Sequence, residues 1–162
     1  MGALIALIHD VLIVLSVYSL LQGILPFSLE IDQVFIAAIL TVIGYSINDT
    51  VVVFDRIREY LSTFHKTDLN ETINAALNST LSRTVITSLT TFIVVLILFV
   101  LGGEVIRGFA FSLLVGIISG TYSSLFIATP VVVDLTKNEM EKRRISKGSK
   151  GSAKSDKKVA SV

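Results

Sequence analysis

Residues 33–59 read QVFIAAILTVIGYSINDTVVVFDRIRE. From Gln33 to Phe54 the run is almost wholly apolar, and it is as long as the ~20 residues a helix needs to cross a hydrocarbon core of roughly 30 Å. Inside that run stand Asn48 and Asp49, and directly behind it come Asp55, Arg56, Arg58 and Glu59. A surface strand or a soluble core helix does not combine so long an apolar run with so abrupt a charged edge. The stretch reads as a transmembrane helix that carries a carboxylate within the lipid.

Three more segments match it. Residues 2–22, 84–101 and 108–133 are runs of the same kind, so the expected spans are 2–22, 33–54, 84–101 and 108–133. The chain of 162 residues is 52% hydrophobic, a modest excess over the 45–50% of soluble domains, so the class is decided by distribution. From Lys137 onward the sequence turns Lys-, Ser- and Gly-rich with no apolar period, which predicts a disordered basic tail over 137–162 behind a helix bundle over 1–136. The formal net charge of +1 hides this asymmetry: nine of the fourteen Lys and Arg residues lie at or after Lys137. The first run is not a signal peptide, because it lacks a basic leader and has Asp10 in its middle. With no Cys, disulfides and thiolate metal sites are excluded.

Loop charge predicts orientation, since Lys and Arg collect on the cytoplasmic side. Arg56, Arg58, Lys66 and Arg83 flank the second connection, the tail is basic, and the first connection (GILPFSLEID) holds no Lys or Arg. Both termini and the second connection are therefore expected in the cytoplasm. Within that connection Asp68 and Glu71 resemble a capping box, and Leu69, Ile73, Ala76, Leu77 and Leu81 form one apolar stripe. They predict an amphipathic helix on the membrane surface. Asp55 and Arg58, three residues apart, are expected to pair, and Pro130 to kink or end the last span.

The informative residues are the polar ones in lipid: His9 and Asp10 in the first span, Asn48 and Asp49 in the second, Arg83 at the entry to the third. An Asp or Arg at a helix centre costs about 2.5–3.5 kcal/mol on insertion scales, so such groups face the bundle interior and serve function. At ~1.5 Å of rise per residue, His9 and Asp10 fall roughly 10–12 Å and Asp49 roughly 8 Å from the same membrane face. Ionisable groups from three helices converge on one layer. Asp49, when charged, is expected to hold Arg83 and, when protonated, to release it, a two-state device driven by an ion. Gly116 and Gly120 form a small-xxx-small pair for close helix approach, and Asn48 and Ser123 are expected at packing or pore-lining positions. Motifs of soluble catalysis (GxGxxG, Walker A, HExxH, CxxC) are missing, and adjacent His9 and Asp10 point about 100° apart on a helix, which argues against a hydrolytic dyad.

The motif at residues 44–59, GYSINDTVVVFDRIRE, closely resembles the signature of SecF, a subunit of the bacterial Sec export machinery, and residues 78–91, NSTLSRTVITSLTT, are similar to the SecF segment that carries an intramembrane arginine. GALIALIHDV at the start and GFAFSLLVGIISGTYSSLFIATP in the last span also match, so the resemblance runs from Gly2 to about Asp134. The connection ILPFSLEID looks like that of chains in which SecD and SecF are fused. The resemblance implies an all-α, RND-type membrane bundle, here four helices of a six-helix half. It implies no enzyme activity, no bound cofactor, and coupling of the proton-motive force (H⁺, or Na⁺ in its place) to preprotein export across the bacterial plasma membrane. By motif Asp49 matches the family's essential aspartate, Arg83 its essential arginine, and Asp10 a polar position on the neighbouring helix. Implied partners are the SecD half, the SecYEG channel, YajC, a YidC-type insertase, preprotein and lipid, with no nucleic acid. A SecF half also has a preceding helix, an extracytoplasmic domain and another helix, so this chain is expected to be a fragment of a longer protein. Half of an RND-type small-molecule transporter and a purely structural membrane module are the competing readings.

Overall fold

The computed structural model describes residues 2–63, 69–135 and 137. Among them the structure is helical, with no strand: α1 spans Gly2–Leu21, α2 Gln33–Thr63, α3 Leu69–Leu101 and α4 Glu104–Ser123. A π turn at Ser124–Ala128 follows α4, and the chain continues as helix to Leu135. All four helices are long and apolar enough to cross a membrane. Asp68 and the residues beyond Lys137 lie outside the described residues, and with them the expected capping box and disordered tail.

α1 and α3 bury narrow stripes made largely of small or polar residues and leave most of their large aliphatic side chains outside, whereas α2 and α4 also bury Val42, Ile57, Leu113 and Ile117. In α1 the stripe recurs every fourth residue: Gly2, Ala6, Asp10, Val14, Tyr18. Leu4, Ile8, Leu12 and Leu20 on the other faces are exposed. In α3 the stripe is Ala76, Thr80, Thr84 and Ser88, while Val85, Ile86, Leu89 and Ile93 face outward. In water this arrangement would be inside out. In lipid, tails solvate the outer leucines, and small residues let backbones approach closely and hydroxyls bond across the bundle. At the crossing of α2 and α4, a Cβ on Gly116 would collide with the side chain of Val42, and one on Gly120 would stand 3.3 Å from the Cβ of Ser46.

The helix ends follow from local chemistry. Asp32 Oδ1 accepts the backbone N–H of Phe35 at 2.8 Å and starts α2. The turn after α1 passes through Gly23 at φ +80°, where a side chain would be strained. Tyr18 donates to the Gly108 carbonyl at 2.8 Å and its ring lies 4.4 Å from that of Phe35, tying the far ends of α1, α2 and α4 together.

Three expectations are corrected. The apolar stripe of residues 69–81 is not a separate surface helix; it is the first part of the 33-residue α3, which runs unbroken to Leu101. Much of its stripe is covered by protein, because α2 also runs on past the expected end at 54 to Thr63, and Val53 and Ile57 pack against Ile73 and Ala76, while Leu81 stays exposed. At ~1.5 Å per residue α2 and α3 are about 45–50 Å long, well beyond a hydrocarbon core of about 30 Å. Asp55 does not pair with Arg58. Arg56 bonds Glu59 at 2.6 Å and Ser79 at 2.9 Å and lies over the Tyr60 ring, because Ser79 of α3 lies within its reach. Pro130 does not end the last span. The helix widens to π register just upstream, at the turn containing the Phe126 carbonyl that a proline ring would strike, and continues.

Candidate functional site

Two polar sites lie inside the bundle, on successive turns of α2. The first surrounds Asp10, whose side chain is 1% exposed. Ser46 of α2 donates to Oδ2 at 2.6 Å, Ser119 of α4 to Oδ1 at 2.9 Å, and Ser123 of α4 to Oδ2 at 2.8 Å. Nδ1 of His9, half-buried on the same helix, lies 3.2 Å from Oδ1. Adjacent positions on α1 therefore do meet, since the histidine ring reaches across the angle between them. Three hydroxyls from two other helices make α1 part of the bundle through a single carboxyl. Gly120 makes this possible: a Cβ there would sit 3.6 Å from Asp10 Oδ2.

The second site lies between α2 and α3. Asp49 follows Ser46 by one turn and is 9% exposed. With Arg83, Thr84, Asn48 and Tyr45 it lines a pocket of about 50 Å³. Thr84 and Ser124 stand close to its carboxyl, though among the described residues neither Oδ2 nor the Thr84 hydroxyl makes a hydrogen bond of good geometry. Ser124 is instead bonded to Thr50 at 2.8 Å. Arg83 borders the same pocket, is exposed, and forms no ion pair among the described residues. It stands midway along α3 rather than at the start of a helix. The expected Asp49–Arg83 ion pair is thus not closed in this structure, although the two side chains share one pocket. Asn48 is exposed beside it.

The expected layer of ionisable groups resolves into these two sites, linked by the Ser46–Asp49 turn of α2. Gly116 and Gly120 sit at close helix contacts, and Ser123 donates across the bundle to Asp10. Ser46 and Thr84 escaped the sequence reading. Both lie on the four-residue stripes that mark the buried faces of α2 and α3, and tracing those stripes would have found them.

Fold and site define a multi-pass helical membrane protein with two carboxyls buried between its spans and an arginine at the border of one of their pockets. The chain belongs to the family "Protein export membrane protein SecD/SecF, C-terminal", which it matches over residues 1–138. It is 60% identical over 146 residues to protein translocase subunit SecF of Rhodothermus marinus, covering 90% of this chain and 47% of that protein. The SecF of Petrotoga mobilis is 47% identical over 143 residues, covering 88% of this chain and 45% of the relative. A crystal structure of SecDF in its super-membrane-facing form superposes with a TM-score of 0.76 at 47% identity, covering 90% of this chain and 19% of that one. The chain spans about half the length of the SecF relatives it matches.

Proposed function

We propose that this bundle is the ion-coupled membrane part of a SecF-type export subunit, which uses the proton-motive force to assist movement of preproteins across the plasma membrane and performs no covalent chemistry. The carrying observation is the pair Asp49 and Arg83: a buried carboxyl oxygen without a partner and an unpaired guanidinium bordering one pocket on two different spans. An acid that gains and loses a proton (or Na⁺) there changes the attraction between α2 and α3, and one elementary charge moving through 100 mV supplies about 2.3 kcal/mol. That is enough to shift a two-state helix arrangement by more than tenfold. Asp10 belongs to the same relay as a second acid, reached through His9 and held by its serine ligands.

In this reading the termini and the projecting ends of α2 and α3 face the cytoplasm, where Arg56 and Arg58 lie. A SecD half is the expected partner in the membrane, as in the SecDF protein that the fold resembles. SecYEG and preprotein are engaged through the assembly, with YajC and a YidC-type insertase as further members.

The test restores the SecF-length protein with its SecD partner in inverted membrane vesicles and measures preprotein export driven by a proton gradient. Asp49→Asn, close in shape but unable to ionise, is expected to remove the gradient-dependent part of export while the protein still inserts. Gradient-driven export at the full rate in that variant would overturn the proposal. Intact export with loss of small-molecule efflux would favour the transporter reading, and no effect on either a structural role.

A further inference from the structure

Several hydroxyls in these spans bond back to their own helix: Thr41 to the Ala37 carbonyl, Thr87 to that of Arg83 and Thr90 to that of Ile86, at 2.8–2.9 Å. That is an ordinary refuge for a threonine in an apolar helix. Thr50 of α2 and Ser124, at the end of α4, do not follow them. They are 2% and 0% exposed, and their hydroxyls meet across the helix contact at 2.8 Å. Among the described residues this is the one hydrogen bond of good geometry that either side chain makes. Two hydroxyls carry two protons, and their mutual bond uses one. The second needs an acceptor, because buried polar groups are rarely left without a partner. With Ser124 as donor, the spare proton falls to Thr50, which bonds no carbonyl. With Thr50 as donor, the spare proton falls to Ser124, and the carboxyl of Asp49 stands close to it. An ionised carboxylate is the stronger acceptor, since charge-assisted bonds are roughly twice as strong as neutral ones. The geometry therefore favours the order Thr50 to Ser124 to Asp49.

We infer that Ser124 is a positioning residue for Asp49: its hydroxyl donates to the charged carboxyl from α4 while Thr50 holds its oxygen. The preceding residue, Ser123, donates to Asp10 at 2.8 Å, so one step of α4 presents hydroxyls to both buried acids. Anchored in this way, the Asp49 carboxyl keeps its orientation toward α3 and leaves Oδ2, which makes no bond of good geometry, for the partner that changes. The functional consequence rests on the ion-coupling role proposed for Asp49; the donor order rests on the hydroxyls alone.

The experiment compares Ser124→Ala with Thr50→Val in the SecF-length protein with its SecD partner. Both variants remove the same bond between α2 and α4, but only the first removes the donor to Asp49. At equal protein level, gradient-driven export is expected to fall roughly tenfold in Ser124→Ala and less than about threefold in Thr50→Val. Equal losses in the two variants, or no loss in Ser124→Ala, mean that the pair merely ties two helices together, and overturn the inference. A cryo-electron microscopy structure of the same assembly supplies the second readout. Ser124 Oγ within hydrogen-bond distance of both Thr50 Oγ1 and the Asp49 carboxyl is the expected result. A serine bonded to Thr50 alone, or turned back to its own helix, overturns it. If Asp49→Asn exports normally while that contact is seen, the coupling role falls and the contact stands.

Discussion

Asp10 accepts a hydrogen bond from Ser46, and Asp49 follows that serine by one turn, yet the two carboxyls have different surroundings. Asp10 is held by three seryl hydroxyls from α2 and α4. Asp49 has an oxygen without a partner and a guanidinium nearby that it does not grip. The first is fixed by its ligands, and under the proposed coupling the second is the one that changes partners. Asp10→Ala removes the common acceptor of three hydroxyls. Interhelical hydrogen bonds in membranes are each worth about 0.6–1.7 kcal/mol, so the loss should be about 2–4 kcal/mol, read as a lower unfolding midpoint in detergent. Asp10→Asn, which keeps one acceptor oxygen, should lose less. The candidate aspartates and Arg83 were legible in the sequence because charge in an apolar run is conspicuous. Ser46 and Thr84 were not, because one hydroxyl on such a run costs little and draws no notice.

At the scale of elements, the α2–α4 crossing depends on missing side chains. Gly116→Leu places a Cβ into Val42, and overpacking of this kind costs about 1–3 kcal/mol. A second change, Val42→Ala, should recover part of that loss, and the pair measured as a double-mutant cycle should show coupling. The projecting hairpin makes a separate prediction. Ile57 is 2% and Ile73 3% exposed in one cluster, so Ile73→Ala should lose about 2–4 kcal/mol and speed protease cleavage between α2 and α3. The four spans could be read from hydropathy, but the lengths of α2 and α3 could not. Ile57, Ile73 and Ala76 have the same apolar pattern whether the cover is lipid or a neighbouring helix, and only their packing distinguishes the two. The π turn before Pro130 was hidden for a similar reason: proline signals a disturbed helix but not the register that absorbs it.

For the whole molecule, the bundle matters to function only if charge in its interior moves an ion. The chain places a carboxyl held by three hydroxyls at Asp10, a second buried carboxyl at Asp49, and a guanidinium at Arg83 on another span. Its SecF relatives are about twice as long, so the proposed coupling is tested in a protein of that length together with its SecD partner. The most direct measurement is ion flux into proteoliposomes holding that assembly, followed with proton- and sodium-sensitive dyes for wild type, Asp49→Asn and Arg83→Ala. Flux under an imposed potential should disappear in Asp49→Asn and fall sharply in Arg83→Ala at equal protein incorporation. Wild-type flux in Asp49→Asn would contradict the account.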